Sequence, residues 1–329
     1  MQQTVQQHPL KEILTGVTFV SSILLAEIYI PLVGWICSCF IPLPIIYYRL
    51  KLGRKPMVIL MTLSMLIAIQ IHGGLTLDTM FIAEFLILGS VMSEFIKKEL
   101  SVDEVILYTT GILFIAGLFG LFYYSQVIST TIGTILSDYV NNNVNMIINI
   151  YKQLGMPKEQ IMELSQPLEK ILIRIIPSRS IAFLMILSWL NLLAARAMFQ
   201  RHQISFPDFG SLNGWKSPDM LVWGVVGSGV LMLIPSETLT ILGCNVLIVL
   251  MVIYFFQGIA VTSFFFEKKN FSRLVRFMLY SFIIIHHQLS LILIIGIGLF
   301  DVWADFRKQN PESNQPPDDH QSGFPYDWF

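Results

Sequence analysis

Between Ile234 and Lys308 the chain reads as two long apolar runs on either side of a short basic stretch, EKKNFSRLVR. Each run is long enough to cross a bilayer, which takes about 20 mostly apolar residues. Inside hydrocarbon every backbone N–H and C=O must find its partner within the protein, so such runs fold as helices. The rest of the chain repeats this alternation. One fold class satisfies it: an all-α, polytopic transmembrane helical bundle. Charged residues make up 13% of the chain, about half the share of a soluble domain. The net charge of −1 gives no electrostatic ground for binding nucleic acid.

Taken in order, the apolar runs predict eight or nine spans. They cover residues 13–30, 32–48, 57–71, 79–96, 105–124, 181–200, 220–234, 239–266 and 277–300. Pro31, Pro42 and Pro44 interrupt the first two, and proline breaks a helix ladder unless its neighbours compensate. Those two runs are therefore either separate spans or one broken helix. Lys11 precedes the first run with no A-x-A exit after it, so the first span is read as uncleaved.

Lys and Arg accumulate in short cytoplasmic loops. Here they occupy alternate turns: Arg49–Lys55, Lys97–Lys98, Arg196–Lys216 and Lys268–Arg276, while the intervening short turns, near Pro31, Gly73–Asp78 and Pro235–Thr238, carry none. This places the N-terminus in the cytoplasm and, with nine spans, the C-terminus outside. If the first two runs form one broken helix, the N-terminus changes side and the later loops keep theirs.

Four regions follow: membrane helices over 1–130, extramembrane helices over 131–176, membrane helices over 177–302 and a polar tail over 303–329. In the second, Val140, Val144, Ile147, Tyr151 and Leu154 recur at helical spacing up to Gly155. Pro157 then suits a first helical turn, and Ile161, Leu164, Leu168, Leu172 and Ile175 form a second stripe. An extracytoplasmic amphipathic helical hairpin is expected, either packed on the bundle or acting as a lid. The Pro-rich tail is expected to be disordered. Ser217–Pro218–Asp219 reads as an N-cap followed by a first helical turn, so span seven is expected to begin there.

Several short motifs carry a resemblance. Asn191 with Ala194–Ala195–Arg196, the PDF and W-x-x-P of the next loop, LGCN at 242–245, FFQG at 255–258 and D-x-W-x-D-F-R at 301–307 resemble the YybS-like family of bacterial membrane proteins. At fold level that family is similar to the substrate-binding S-components of energy-coupling-factor transporters and to the rod-shape protein MreD. The resemblance implies a multi-pass protein of the bacterial cytoplasmic (inner) membrane. S-components often dock their partner through A-x-x-x-A on the first helix; here the match is Ser22 to Ala26, small at both ends but not alanine at both.

Acids inside a span are costly and mark function by default. Glu27, His72 and Glu84 fall at similar depth near the outer face and form one candidate pocket. Glu94 has Lys98 four residues on, an ordinary helix-surface pair. Asn191, Asn245, Gln257, His286 and His287 complete the ligand-binding candidates. Asn245 and Gln257 lie about 18 Å apart along one helix, so interhelical hydrogen bonding is the plainer reading for each. The adjacent histidines point about 100° apart and have no further ligands beside them, so no metal site and no cofactor are expected. Arg196 is a candidate partner contact. So are Asp301, Trp303, Asp305 and Arg307, placed at the outer end of the last span as an anchor or docking point.

No H-E-x-x-H, P-loop or G-x-S-x-G is present. A non-enzyme is expected. Two functions remain: a small-molecule binding or transport component needing an energising partner, or a membrane scaffold for envelope or cytoplasmic machinery. In both, the lipid bilayer is the constant partner.

Overall fold

The computed structural model describes residues 9–153, 168–201, 206–207, 209–210 and 212–307. All regular structure among them is helical. The chain divides into two compact units, Met1–Phe209 and Gly210–Phe329.

The first unit holds α1 (Pro9–Tyr29), α2 (Pro31–Ser38), α3 (Pro42–Lys51), α4 (Arg54–His72), α5 (Leu77–Lys97), α6 (Val102–Val127), α7 (Ile132–Gln153) and α8 (Ile176–Arg201). Pro31 and Pro42 each sit in the first turn of a helix, where a missing N–H costs nothing. The first two apolar runs are thus separate: α1 turns back at Ile30, and α2 with α3 makes the return. Gly73 ends α4 in the left-handed region at φ 73°, the usual glycine C-cap. Thr76 then caps α5 reciprocally with Thr79 at 2.8 and 3.3 Å. Glu104 reaches back to the Ser101 backbone N–H at 3.0 Å to start α6.

The short α3 is the centre of this unit. It packs on α4, α5 and α8. Ile41, Ile45 and Ile46 are fully buried there with Leu60, Leu88 and Phe199. Between membrane helices such contacts stabilise by close packing rather than by expulsion of water. The amphipathic α7 forms as expected and buries Val140 and Val144. Residues 168–174 are helical. The rest of the expected hairpin and the tail beyond Arg307 lie outside the described residues.

The second unit holds the short turn η1 (Leu212–Gly214), α9 (Leu221–Leu233), α10 (Glu237–Lys268), α11 (Arg273–Ile285) and α12 (His287–Ala304). Ser217 is not a helix cap: α9 starts at Leu221, after a turn closed by Leu221 N–H to the Pro218 carbonyl. With its 32 residues, α10 is about 48 Å long and exceeds the hydrocarbon thickness of about 30 Å. It carries α9 and η1 along one side and α12 along another. A Cβ on Gly258 would strike the Ile294 carbonyl, and one on Gly298 the Tyr254 carbonyl. Only glycine lets α10 and α12 approach so closely.

Seven helical stretches among the described residues are long and apolar enough to cross a membrane: those beginning at Lys11, Leu32, Arg54, Leu77, Val102, Ile176 and Glu237. The protein is thus polytopic and all-helical. Two expected spans come out differently. The run at 220–234 forms a helix of only 13 residues. The run at 277–300 is not one helix: it breaks at His286, and the axes on either side differ by 107°.

Candidate functional site

Polar side chains inside a helical membrane protein need partners, and tracing those partners separates structural groups from available ones. In the first unit, Glu94 near the end of α5 receives Arg49 from α3 at 2.6 and 3.0 Å. It also receives Arg54 from the start of α4 at 3.2 and 3.1 Å. One carboxylate thereby ties three helix ends. The expected Glu94–Lys98 pair is replaced by this cluster, because the α3–α4 turn brings two guanidinium groups to the same end of α5; Lys98 instead lies over the Phe95 ring. Nearby, Lys51 bridges the Glu12 carboxylate at 3.0 Å and the Tyr47 hydroxyl at 2.8 Å. The Tyr48 hydroxyl donates to the Glu12 carbonyl.

The predicted pocket residues of this unit are spread over separate surroundings. Glu27 on α1 accepts from the Ser38 hydroxyl of α2 at 3.2 Å. His72, at the end of α4, has Nδ1 3.9 Å from Asp78, and its buried Nε2 has no hydrogen bond. Glu84 lies on the α6-facing side of α5, and a Cβ on Gly117 would stand 3.2 Å from its carboxylate. Among the described residues no hydrogen bond or ion pair joins Glu27, His72 and Glu84. Asn191 is fully buried on α8 and donates to the Cys39 carbonyl at 2.9 Å. That carbonyl sits at the break between α2 and α3, where no helix turn uses it, so Asn191 pins the broken span to α8. Arg196 is half-buried on α8, one turn on.

Two open grooves flank these helices. One, of about 420 Å³, lies where α6 turns into α7 and is lined by Ser125, Gln126, Ser129, Thr130 and Thr131. The other, of about 330 Å³, is an apolar groove between α4 and α5. Neither includes a predicted ligand-binding residue.

The second unit gathers the motif residues into one buried network. The Gln257 carbonyl oxygen accepts from the Ser217 hydroxyl at 2.5 Å, and its amide donates to Asp301 at 2.9 Å. Asp301 accepts the Arg307 guanidinium at 2.7 Å and the Phe306 backbone N–H at 3.1 Å. Arg307 also donates to the backbone carbonyls of Asn213 and Trp215 at 3.0 and 2.8 Å. The Asn213 amide in turn donates to Glu267. The W-x-x-P loop, FFQG and D-x-W-x-D-F-R, far apart in sequence, are thus one cluster. Asp305 enters the left-handed region at φ 38° and ends α12. That turn lets Arg307 fold back onto Asp301.

This network corrects the predicted position of Asp301, Trp303, Asp305 and Arg307. They are not at the opposite end from the loop after α8; Arg307 is bonded to that loop. Asn213 joins both Arg307 and Glu267, the residue before the last of α10. So α10 and α12 finish at the same end, and α11 with α12 leaves and returns there. The remaining candidates stand apart: Asn245 donates to the Ile241 carbonyl of its own helix at 2.9 Å. The His286 ring packs on Phe282 at 4.4 Å between centroids. His287 begins α12, and its side chain lies outside the described residues. Trp303 is 63% exposed beside Phe300.

Nothing in the sequence singles out Ser217, Asn213 or Glu267 as site residues. Ser217 stands inside W-x-x-P, where its place before Pro218 reads as a helix start. The cysteines Cys37, Cys39 and Cys244 carry free thiols. Among the described residues no three His, Cys, Asp or Glu side chains come together as a metal site.

No curated protein matches the chain, and no solved structure does. Residues 18–302, which include every element from α2 to α11 and all but the last turn of the Asp301 network, match the model of the family described as predicted membrane protein (DUF2232), and the chain belongs to that family.

Proposed function

We propose that the protein is a small-molecule binding or transport component of a bacterial inner membrane, with Glu84 as the polar contact for its ligand. One observation carries this reading. Glu84 lies inside a membrane-spanning helix, half-buried against the glycine face of α6, and among the described residues it has no hydrogen bond or ion-pair partner. A carboxylic acid at such depth is costly and is retained where it meets a ligand, an ion or a proton. Its chemistry selects a cationic or hydrogen-bond-donating group. The motifs' resemblance to the YybS-like family, itself similar at fold level to the small-molecule-binding S-components, agrees with this. Active transport by such a component would draw on an energising partner.

The test is a thermal-shift screen of the purified protein in detergent against vitamins, cations, amines and lipid-linked precursors. A ligand at 100 times its Kd adds about 2.7 kcal/mol to the folded state. The expected result is a shift that Glu84→Gln abolishes while the variant stays folded. A ligand that shifts wild type and Glu84→Gln equally removes the assignment.

A second reading, a non-catalytic membrane scaffold, is favoured by a different observation. Asn191, Gln257 and Asp301 are fully buried, and each is spent on holding segments together. The absence of any shift in the screen, together with proteins recovered by cross-linking at the basic turns, supports that reading instead.

A further inference from the structure

The turn between α10 and α11 concentrates charge that nothing above uses. From Glu267 to Arg276 it holds one acid against Lys268, Lys269, Arg273 and Arg276, a balance of +3. Glu267 is engaged by Asn213. Arg276 is tied back to the Phe271 carbonyl at 2.9 Å. Lys268 and Lys269 are both exposed. The turn itself is held in shape: Asn270 adopts φ 49°, and the Phe266 ring packs on Phe271 and Tyr280 at 5.7 and 5.4 Å.

Next to this turn the first part of α11 presents an apolar face. Leu274, Phe277 and Met278 are 68%, 69% and 62% exposed. In a membrane protein such a face meets acyl chains. With 13 residues, α11 is about 20 Å long, too short to cross, and together with α12 it re-enters at the end it left. Exposed lysines therefore sit at the border between an apolar helix face and water. That is the placement of a headgroup phosphate, with its acyl chains along α11.

We propose that the Lys268–Lys269 turn, with the exposed face of α11 beside it, binds the phosphate-bearing headgroup of an anionic phospholipid. An acidic protein would match the charge but not the adjoining run of exposed Leu, Phe and Met side chains. Free phosphate would match neither the length of the apolar face nor its position.

The experiment uses the full-length protein in detergent. Melting temperature and lipid retention by native mass spectrometry are measured with phosphatidylglycerol, with phosphatidylcholine of the same acyl chains and with inorganic phosphate, at low and high salt. The expected result is preferential retention of phosphatidylglycerol that weakens as salt rises. Lys268→Gln/Lys269→Gln should reduce that preference about thirtyfold, since each of the two lysines near a headgroup contributes about one kcal/mol. Lys268→Arg/Lys269→Arg should retain it. Equal retention of both lipids overturns the proposal, as does full stabilisation by inorganic phosphate alone. An equal loss from Lys97→Gln/Lys98→Gln also overturns it, by reducing the effect to a general attraction of basic turns to an anionic surface.

Discussion

Asp301 and Arg307 show how a charged pair is tolerated inside this protein. Their side chains are 0% and 1% exposed. Desolvating two ions costs several kcal/mol each, and a buried pair survives only if further hydrogen bonds satisfy both members. Here Asp301 takes three donors, and Arg307 meets two carbonyls besides the carboxylate. Removing one partner leaves the other charged and buried. Asp301→Ala should therefore lower stability by about 3–5 kcal/mol in a denaturation titration in detergent. Trp303→Ala, two residues away and largely exposed, should stay within about 0.5 kcal/mol; similar losses from both would mean that the network contributes nothing special. Gln257 stands out in the sequence as a polar residue in an apolar run, and Asp301 and Arg307 as an anchor or docking point at the end of the last span. Their mutual pairing does not. Helical spacing links Asp301 to Asp305 and Trp303 to Arg307, whereas the observed pair spans six residues through the left-handed turn at Asp305, which no periodicity encodes.

Close contact of α10 with α12 rests on two glycines, and Gly227 of α9 and Gly296 of α12 make an internal comparison. Around Gly258 and Gly298 the obstructing atoms are backbone carbonyls, which cannot swing aside as a side chain would. Gly298→Ala should force the helices apart and cost about 1–3 kcal/mol. At Gly227 and Gly296 an added Cβ meets nothing within 4 Å, so alanine there should be neutral or raise stability by up to about 1 kcal/mol through its better helix propensity. Melting temperatures of the single variants in detergent decide this, and a Gly298→Ala protein as stable as Gly296→Ala would remove the close-packing argument. Composition alone does not tell a packed helix face from a lipid-facing one, so nothing in the sequence separates Gly258 and Gly298 from Gly227 and Gly296. The bend at His286 was hidden for a related reason. Phe277–Phe300 reads as one apolar run with no proline in it, and hydropathy measures length in residues, not the direction of the axis.

The number of apolar runs was legible, but the side on which Arg307 lies was not, because a run that re-enters has the same hydropathy as one that crosses. Alternating basic turns placed Lys216 and Lys268 on one side. The bond from Asn213 to Glu267 agrees, since α9 leads away from that end and α10 leads back. The same alternation, extended over a ninth crossing, put Asp301–Arg307 on the opposite side. Arg307 holds the carbonyls of Asn213 and Trp215, and a guanidinium cannot do so from the far side of a bilayer about 30 Å thick. The Lys269 turn and the end of α12 must therefore face the same compartment. Single cysteines at Asn270 and at Asp305, in a background with Cys37, Cys39 and Cys244 replaced by serine, should react with a membrane-impermeant maleimide from the same side of sealed vesicles. A cysteine at Ser236, in the turn between α9 and α10, should react from the other. Labelling of positions 270 and 305 from opposite sides would mean that α11 and α12 together cross the membrane, and the Arg307 network could not then exist in the bilayer.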